Sequence, residues 1–263
     1  MSPDFDCSIS SPFAKGIAFK KLHKDGLPFF VPNAWDAGSA KLLTDMGFLS
    51  LCAVAGARMA NNGMKTSLKR DEVLTNAFNI VSATNLPVTA DLENGYGDSA
   101  EICMETVILA SKTGLVGGCI GDFTGNGEKP IYDFSHAVER IIASVDAARS
   151  LPFHFTLTAS SQNYLHGIVD LNDTIKRLVA YANAGADVLF APGITKKEEI
   201  EEIVKAVSPR PVNVLMGYTG LDLTMGELAK AGVCRISMSS SFVHDTSGDI
   251  YLDALRWQKK LRF

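Results

Sequence analysis

Phe29-Phe30-Val31-Pro32-Asn33 is a short β-rich run that passes straight into a helical segment, Ala34–Met46, closed by Gly47. Its turn carries no G-x-G-x-x-G, which the first unit of an open, doubly wound dinucleotide sheet would be expected to show. The same kind of unit then recurs down the chain. Phe48–Ala55 leads through a Gly- and Asn-containing loop to a helix over Arg70–Thr84. Pro87–Glu93 precedes a helix that opens at Asp98-Ser99-Ala100-Glu101 and ends at Gly114. Val116–Asp122 precedes Phe134–Arg149, and His154–Ser160 precedes a helix opening at Asp170 and closing at Gly185. Asp187–Phe190, Pro211–Met216 and Arg235–Ser241 are followed by Lys196–Val207, Met225–Ala231 and Ile250–Leu261. Runs of β-branched and aromatic residues thus alternate with segments of helical period, and glycines stand where helices stop.

Eight βα units with no hairpin signal predict an α/β protein, a (β/α)8 TIM barrel, since parallel strands need helical crossovers and eight is the closing number. Residues 1–28 form an N-terminal extension whose segment Ser11–Lys24 reads as a helix covering the barrel's N-terminal end. Residues 29–263 read as a single barrel domain.

Composition supports this frame and removes several classes of function. The 263 residues are 46% hydrophobic and 21% charged, an ordinary globular mixture. A formal charge of −4 with no basic block argues against nucleic acid as a partner. No stretch approaches 18 apolar residues, and the acidic start Met1-Ser-Pro-Asp4 resembles neither a secretory signal nor a transit peptide, so no membrane association is expected. Cys7, Cys52, Cys103, Cys119 and Cys234 are odd in number, widely spaced and without a C-x-x-C pair. Reduced thiols in the cytoplasm fit them better than a disulfide scaffold or a zinc site.

In a barrel the chemistry sits at the C-terminal strand ends. The third unit offers Asp91-Leu92-Glu93-Asn94-Gly95-Tyr96-Gly97 there. Residues two apart on a strand share a face, so Asp91 and Glu93 are expected to converge, and close carboxylates call for a cation or a proton between them. Mg²⁺ suits such a pair because it takes only one or two protein oxygens. A solvated strand end is the alternative. His166 reads either as an acid or base near neutral pH or as a packing histidine. Gly117-Gly118 reads as close packing inside a strand rather than as a phosphate turn. Trp35 and Phe123 are candidates for a pocket wall, and Ser239–Ser241 for a weak rim contact.

The segments Pro32-Asn-Ala-Trp-Asp-Ala-Gly-Ser-Ala40, Ala90-Asp-Leu-Glu-Asn-Gly-Tyr-Gly97, Asn163-Tyr-Leu-His-Gly167, Ala182-Asn-Ala-Gly-Ala-Asp-Val-Leu189 and Pro211-Val-Asn-Val214 resemble the isocitrate lyase/phosphoenolpyruvate mutase superfamily. They occur in family order from about Gly26 to Ser241, and look most like the short 2-methylisocitrate lyase or oxaloacetate decarboxylase-like branch. The resemblance implies a barrel, Mg²⁺ at Asp91 and Glu93, no organic cofactor, and cleavage or rearrangement next to the carbonyl of a 2-oxo acid through an enolate. It also implies a homo-oligomer, dimer or tetramer, whose last helix swaps between neighbours. Asp91, Glu93, Asp122, Tyr96 and His166 then become candidate catalytic residues. Ala55, Gly56, Ala57, Arg58, Gly95, Gly97, Ser160, Gln162, Asn163 and Asn213 become candidate substrate contacts.

The departures are concentrated at strand ends. Where the family offers Ser and Gly to a substrate carboxylate, this chain has Ala55-Gly56-Ala57 and then Arg58; an acid of the same loop is replaced by Met64-Lys65-Thr66. The family's Glu-Asp reads Gly121-Asp122, and its strand-five Arg and following acid read Ser160 and Gln162. The Lys-Lys-Cys-Gly-His loop of the longer lyases has no counterpart in Thr124-Gly-Asn-Gly-Glu-Lys129. A lyase-type enzyme for a non-standard substrate, larger or less charged, is the leading expectation. A metal-independent enzyme, with Arg58 or Lys65 replacing the cation, is the second. A catalytically inactive homologue kept for binding or assembly is the third.

Overall fold

The computed structural model describes residues 11–24, 26–54, 68–216 and 223–238. Helix α1 (Pro12–Leu22) is followed by β1 (Phe29–Val31), β2 (Asn33–Ala34), α2 (Ala37–Asp45), β3 (Leu51–Ala53) and α3 (Arg70–Ser82). Then come β4 (Val88–Asp91), α4 (Ala100–Lys112), β5 (Gly117–Gly121), α5 (Phe134–Ser150), β6 (Thr156–Ser160) and α6 (Leu171–Ala184). The described chain ends with β7 (Val188–Phe190), α7 (Lys197–Val207), β8 (Val212–Met216), α8 (Met225–Lys230) and β9 (Arg235–Met238).

All strands pair in parallel in the order β1-β9-β8-β7-β6-β5-β4-β3-β2. The two ends of that order are halves of one run. β1 pairs with β9 from Phe29↔Arg235 to Val31↔Ser237, and β2 pairs with β3 through Asn33↔Cys52 and Ala34↔Ala53. Pro32 lies between them, has no N–H to give a ladder, and still accepts from Cys52 N at 2.8 Å. The eight expected strands therefore appear as nine, in a nearly closed TIM-barrel-like α/β fold.

Local chemistry sets the helix ends. Asp36 caps α2 by accepting from Ser39 N at 2.7 Å while Ser39 Oγ accepts from Asp36 N, so α2 starts three residues later than its period suggests. Ser99 caps α4 and Asp170 caps α6. Gly47, Gly114, Gly185 and Gly232 all have positive φ, as the helix stops require. The expected helix Ile250–Leu261 lies outside the described residues.

The main core lies between the outer strand faces and the helices, where Leu51, Ile120, Phe155, Leu157 and Leu178 are fully buried. Each contributes about 1.5–3 kcal/mol relative to exposure. A second cluster, Phe19, Phe29, Val31 and Val116, joins α1 to the N-terminal ends of the strands, which places that helix as its sequence predicts. The contact is close: a Cβ on Gly16 would lie 2.4 Å from the His154 carbonyl oxygen. Lys15 Nζ reaches Thr84 O at 2.9 Å.

His23 seals this end. Its Nδ1–H donates to Phe19 O at 2.8 Å, and the ring stands edge-on to Phe19 and Phe29. Burial, followed by the nearby Arg235 charge, lowers its pKa to about 3. The native protein thus refuses a proton that the unfolded chain accepts near pH 6.5. The contribution to stability is complete above about pH 6.5 and is lost as pH falls toward about 3. Between pH 7 and pH 5 it amounts to about 2 kcal/mol. A His23→Leu variant is expected to lack that part of the acid dependence in urea unfolding; identical slopes for both proteins would refute it.

Candidate functional site

Along a strand, alternate residues face the barrel interior. Cys52, Asp91, Cys119, Phe190, Leu215 and Ser237 all sit at inner positions and keep partial exposure, whereas their strand neighbours Leu51, Ala90, Ile120, Leu189, Val214 and Ile236 are buried among the helices. Asp91 stands in register with Cys119, and Cys119 with Thr158. Among the described residues, the inner wall at the C-terminal end of the barrel therefore carries an acid, two thiols and apolar side chains.

The expectation that Asp91 and Glu93 share a strand face is corrected here. β4 stops at Asp91, and Glu93 has φ 55, so the alternation ends before it. Leu92 explains the departure: it is fully buried over Gly118, where a Cβ would approach its Cδ1 to 2.5 Å. Gly118 is thus required for packing, as its place in a strand suggests. Asp91 Oδ1 accepts Glu93 N–H at 3.0 Å, while Glu93 O accepts from Gly121 N at 2.7 Å. The two acids remain adjacent, but through a turn.

That turn is strained and clamped. Glu93 and Tyr96 (φ 64) are both non-glycine residues in the left-handed region, at roughly 1–2 kcal/mol each. Asn94 Oδ1 accepts Tyr96 N, and Thr106 Oγ1 donates to Gly95 O at 2.8 Å. Arg140 of α5, 1% exposed, donates to the carbonyls of Asn94, Gly97 (2.6 Å) and Asp98 (2.5 Å). Its guanidinium lies 4.2 Å from the centre of the Tyr132 ring, whose hydroxyl donates to Asp98. Gly95 and Gly97 have a packing reason to be glycine: a Cβ on either would come within 2.7 Å of Cys103 or Ile102 on α4.

Asp122 belongs to a network of its own. It is 2% exposed and accepts from Gln162 N at 2.8 Å, Tyr181 Oη at 2.6 Å and Arg177 Nη1 at 3.3 Å. Burial pushes its carboxyl upward, against the pull of these donors. Arg177 also holds Asp173, which accepts from Asn163 Nδ2 at 2.8 Å; Asn163 Oδ1 accepts from Ser161. Gln162 Nε2 donates to Ser160 Oγ at 3.4 Å. Asp122, Asn163 and Gln162 therefore brace the ends of β5 and β6 against α6. His166 ends a 3-10 turn, is exposed, and stacks on Phe123 with centroids 5.7 Å apart.

Asn213 occupies the interior with both amide groups engaged. Its Oδ1 accepts from Arg235 Nε at 3.0 Å and its Nδ2 donates to Ser237 Oγ at 2.9 Å. Arg235 also donates from Nη2 to Thr158 Oγ1 at 3.0 Å. Burial raises the thiols of Cys52, to about 12, and of Cys119, so both are protonated at neutral pH. Ala55, Gly56, Ala57, Arg58, Lys65 and Ser239–Ser241 lie outside the described residues.

Sequence reasoning missed Arg140, Arg177 and Arg235. Arg177 leaves a faint trace as the i+4 partner of Asp173, but an arginine on a helix ordinarily reads as solvent-facing.

Among the described residues no cluster of three or more His, Cys, Asp and Glu side chains forms a metal cage. Mg²⁺ does not need one, because waters and substrate oxygens complete its shell. The half-exposed Asp91, with Glu93 beside it, is a donor set of the right chemistry; Asp122 is already committed to Arg177 and Tyr181.

The family described as phosphoenolpyruvate phosphomutase matches residues 19–253. This chain belongs to that family. Among solved structures, a candidate lyase/mutase from Burkholderia cenocepacia J2315 is 46% identical with a TM-score of 0.87, covering 94% of this chain and 88% of that one. An oxaloacetate decarboxylase from Pseudomonas entomophila is 25% identical over 93% of this chain and 85% of its own. A 2-methylisocitrate lyase from Shewanella oneidensis is 29% identical over 82% and 76%. A phosphonopyruvate hydrolase solved with oxalate and Mg²⁺ shares the fold, with a TM-score of 0.79 at 20% identity, over 94% of this chain and 89% of that one. No described helix is long and apolar enough to cross a membrane.

Proposed function

We propose that this member of the family is a carbon–carbon lyase-type enzyme, or a related decarboxylase or mutase, acting beside the carbonyl of a small 2-oxo acid. The observation that carries the reading is Asp91, a half-exposed carboxylate on the inner wall, at the foot of a strained turn held by Arg140. Strain kept at a strand end by a buried guanidinium is costly to build and fits a turn that must present its groups in one orientation. Relatives named for oxaloacetate and 2-methylisocitrate chemistry point to the same class of substrate.

Asp91 and Glu93 would hold Mg²⁺, which when bound supplies positive charge where negative charge develops on the substrate oxygen. The remaining contributions come from the chain itself. Phe190 and Leu215 would present an apolar wall to the substrate. The protonated thiols of Cys52 and Cys119 add bulk without charge to the wall. Gln162, whose amide donates to the fully buried Ser160, gives the β6 rim a neutral hydrogen-bonding group, which fits a substrate other than those of the usual lyases.

Incubation of the full chain with Mg²⁺ and a panel of small 2-oxo and 2-hydroxy acids, oxaloacetate and 2-methylisocitrate included, tests this. Cleavage or rearrangement of at least one, followed by proton NMR and abolished by chelation, is the expected result. Failure of the whole panel to turn over or bind overturns the reading.

A further inference from the structure

Arg235 is the one charged side chain of β9, and it points into the barrel. It is 4% exposed, and its Nε and Nη2 donate to the neutral oxygens of Asn213 and Thr158. Nη1 is buried and has no hydrogen-bond partner. Among the described residues no carboxylate forms an ion pair with this guanidinium. The thiols of Cys52, Cys119 and Cys234 act on it electrostatically, and burial dominates the environment of those in the interior. A buried cation without a counter-charge is expensive, and an idle donor on it adds the cost of an unmade hydrogen bond.

Its place in the fold suggests what offsets that cost. Arg235 lies two residues below Ser237 on the same inner face of β9, and its partner Thr158 lies two below Ser160 on β6. The guanidinium therefore forms a floor beneath the partly exposed wall of Asp91, Cys119, Leu215 and Ser237. Asn213 and Thr158 fix the plane of the fork through two of its edges, leaving one N–H edge uncommitted. That is the arrangement of a preorganised carboxylate donor.

We propose that Arg235 receives the distal carboxylate of the substrate at the floor of the barrel and is the residue that sets a preference for a second carboxylate. The inference rests on the 2-oxo acid reading above. The 2-oxo end lies toward Asp91 at the mouth, and the distal carboxylate reaches down to Nη1. The cation that the β6 rim lacks is thereby supplied from another strand, at a lower level.

Calorimetric titration of the full chain in Mg²⁺ with two ligands tests it. 3,3-Difluorooxaloacetate is a 2-oxo dicarboxylate that cannot enolise at C3, whereas 2-oxobutanoate carries a methyl in place of the second carboxylate and hydrogens in place of the two fluorines. The wild type is expected to prefer the dicarboxylate by about tenfold or more. Arg235→Gln is expected to lose that preference while still binding 2-oxobutanoate, and Arg235→Lys to retain part of it. A folded Arg235→Gln protein with the preference intact overturns the proposal and leaves the 2-oxo acid reading standing. Binding of neither ligand to the wild type overturns both. Should Arg235→Gln not fold, a crystal structure of the wild type with difluorooxaloacetate decides: a carboxylate oxygen in hydrogen-bond contact with Nη1 supports the proposal, and a ligand bound without that contact refutes it.

Discussion

Asp91→Asn is expected to lower kcat/KM by about a thousandfold or more while leaving thermal unfolding within a few degrees of the wild type. The substitution keeps side-chain volume and the oxygen that accepts Glu93 N–H at 3.0 Å, so the turn after β4 should persist. What disappears is the negative charge on the inner wall. An amide oxygen is a much poorer partner for a hard divalent cation, and the loss falls on the step in which charge develops. Steady-state kinetics with whichever 2-oxo acid is turned over, beside a melting curve, would separate the two effects. A variant keeping more than about a tenth of its activity would remove Asp91 from the chemistry.

Arg140→Ala should be the most damaging single change to stability, costing roughly 3–5 kcal/mol. It removes the donor shared by the carbonyls of Asn94, Gly97 and Asp98 and the cation lying over Tyr132. Those carbonyls are then left without their partner, and the left-handed Glu93 and Tyr96 lose the clamp that holds them. For a chain of this size the melting temperature should fall by about 10 °C in scanning calorimetry. Arg140→Lys should rescue little, since one ammonium cannot reach three carbonyls with a planar fork. An unchanged melting temperature in Arg140→Ala would show that the turn holds itself.

Much of this architecture is legible residue by residue. The period of Val88–Asp91, the Ser99 and Asp170 caps and the stop at Gly185 are local properties, each decided within a few neighbours. The position of the site follows, because a parallel barrel presents chemistry at its strand ends and Asp91 closes one. The direction of Glu93 is not local in this sense. Whether a strand continues past its last paired residue depends on what lies across the ladder, here the empty space over Gly118 that Leu92 fills. Asp122 stands in the sequence as a candidate catalytic acid, and its commitment to Arg177 and Tyr181 appears only when the helix bearing them packs against it.

The sequence by itself determined the α/β barrel, the N-terminal helix beneath it, the family and the placing of Asp91. These rest on periodicity, caps and motifs carried by contiguous residues. Only the tertiary structure decided which charges are committed and which are open. Arg140 meets the Asp91–Gly97 turn from 46 and 43 residues away, and Arg235 meets Thr158 from 77. A side chain's charge is fixed by its identity, but its partner, its burial and therefore its use are fixed by folding.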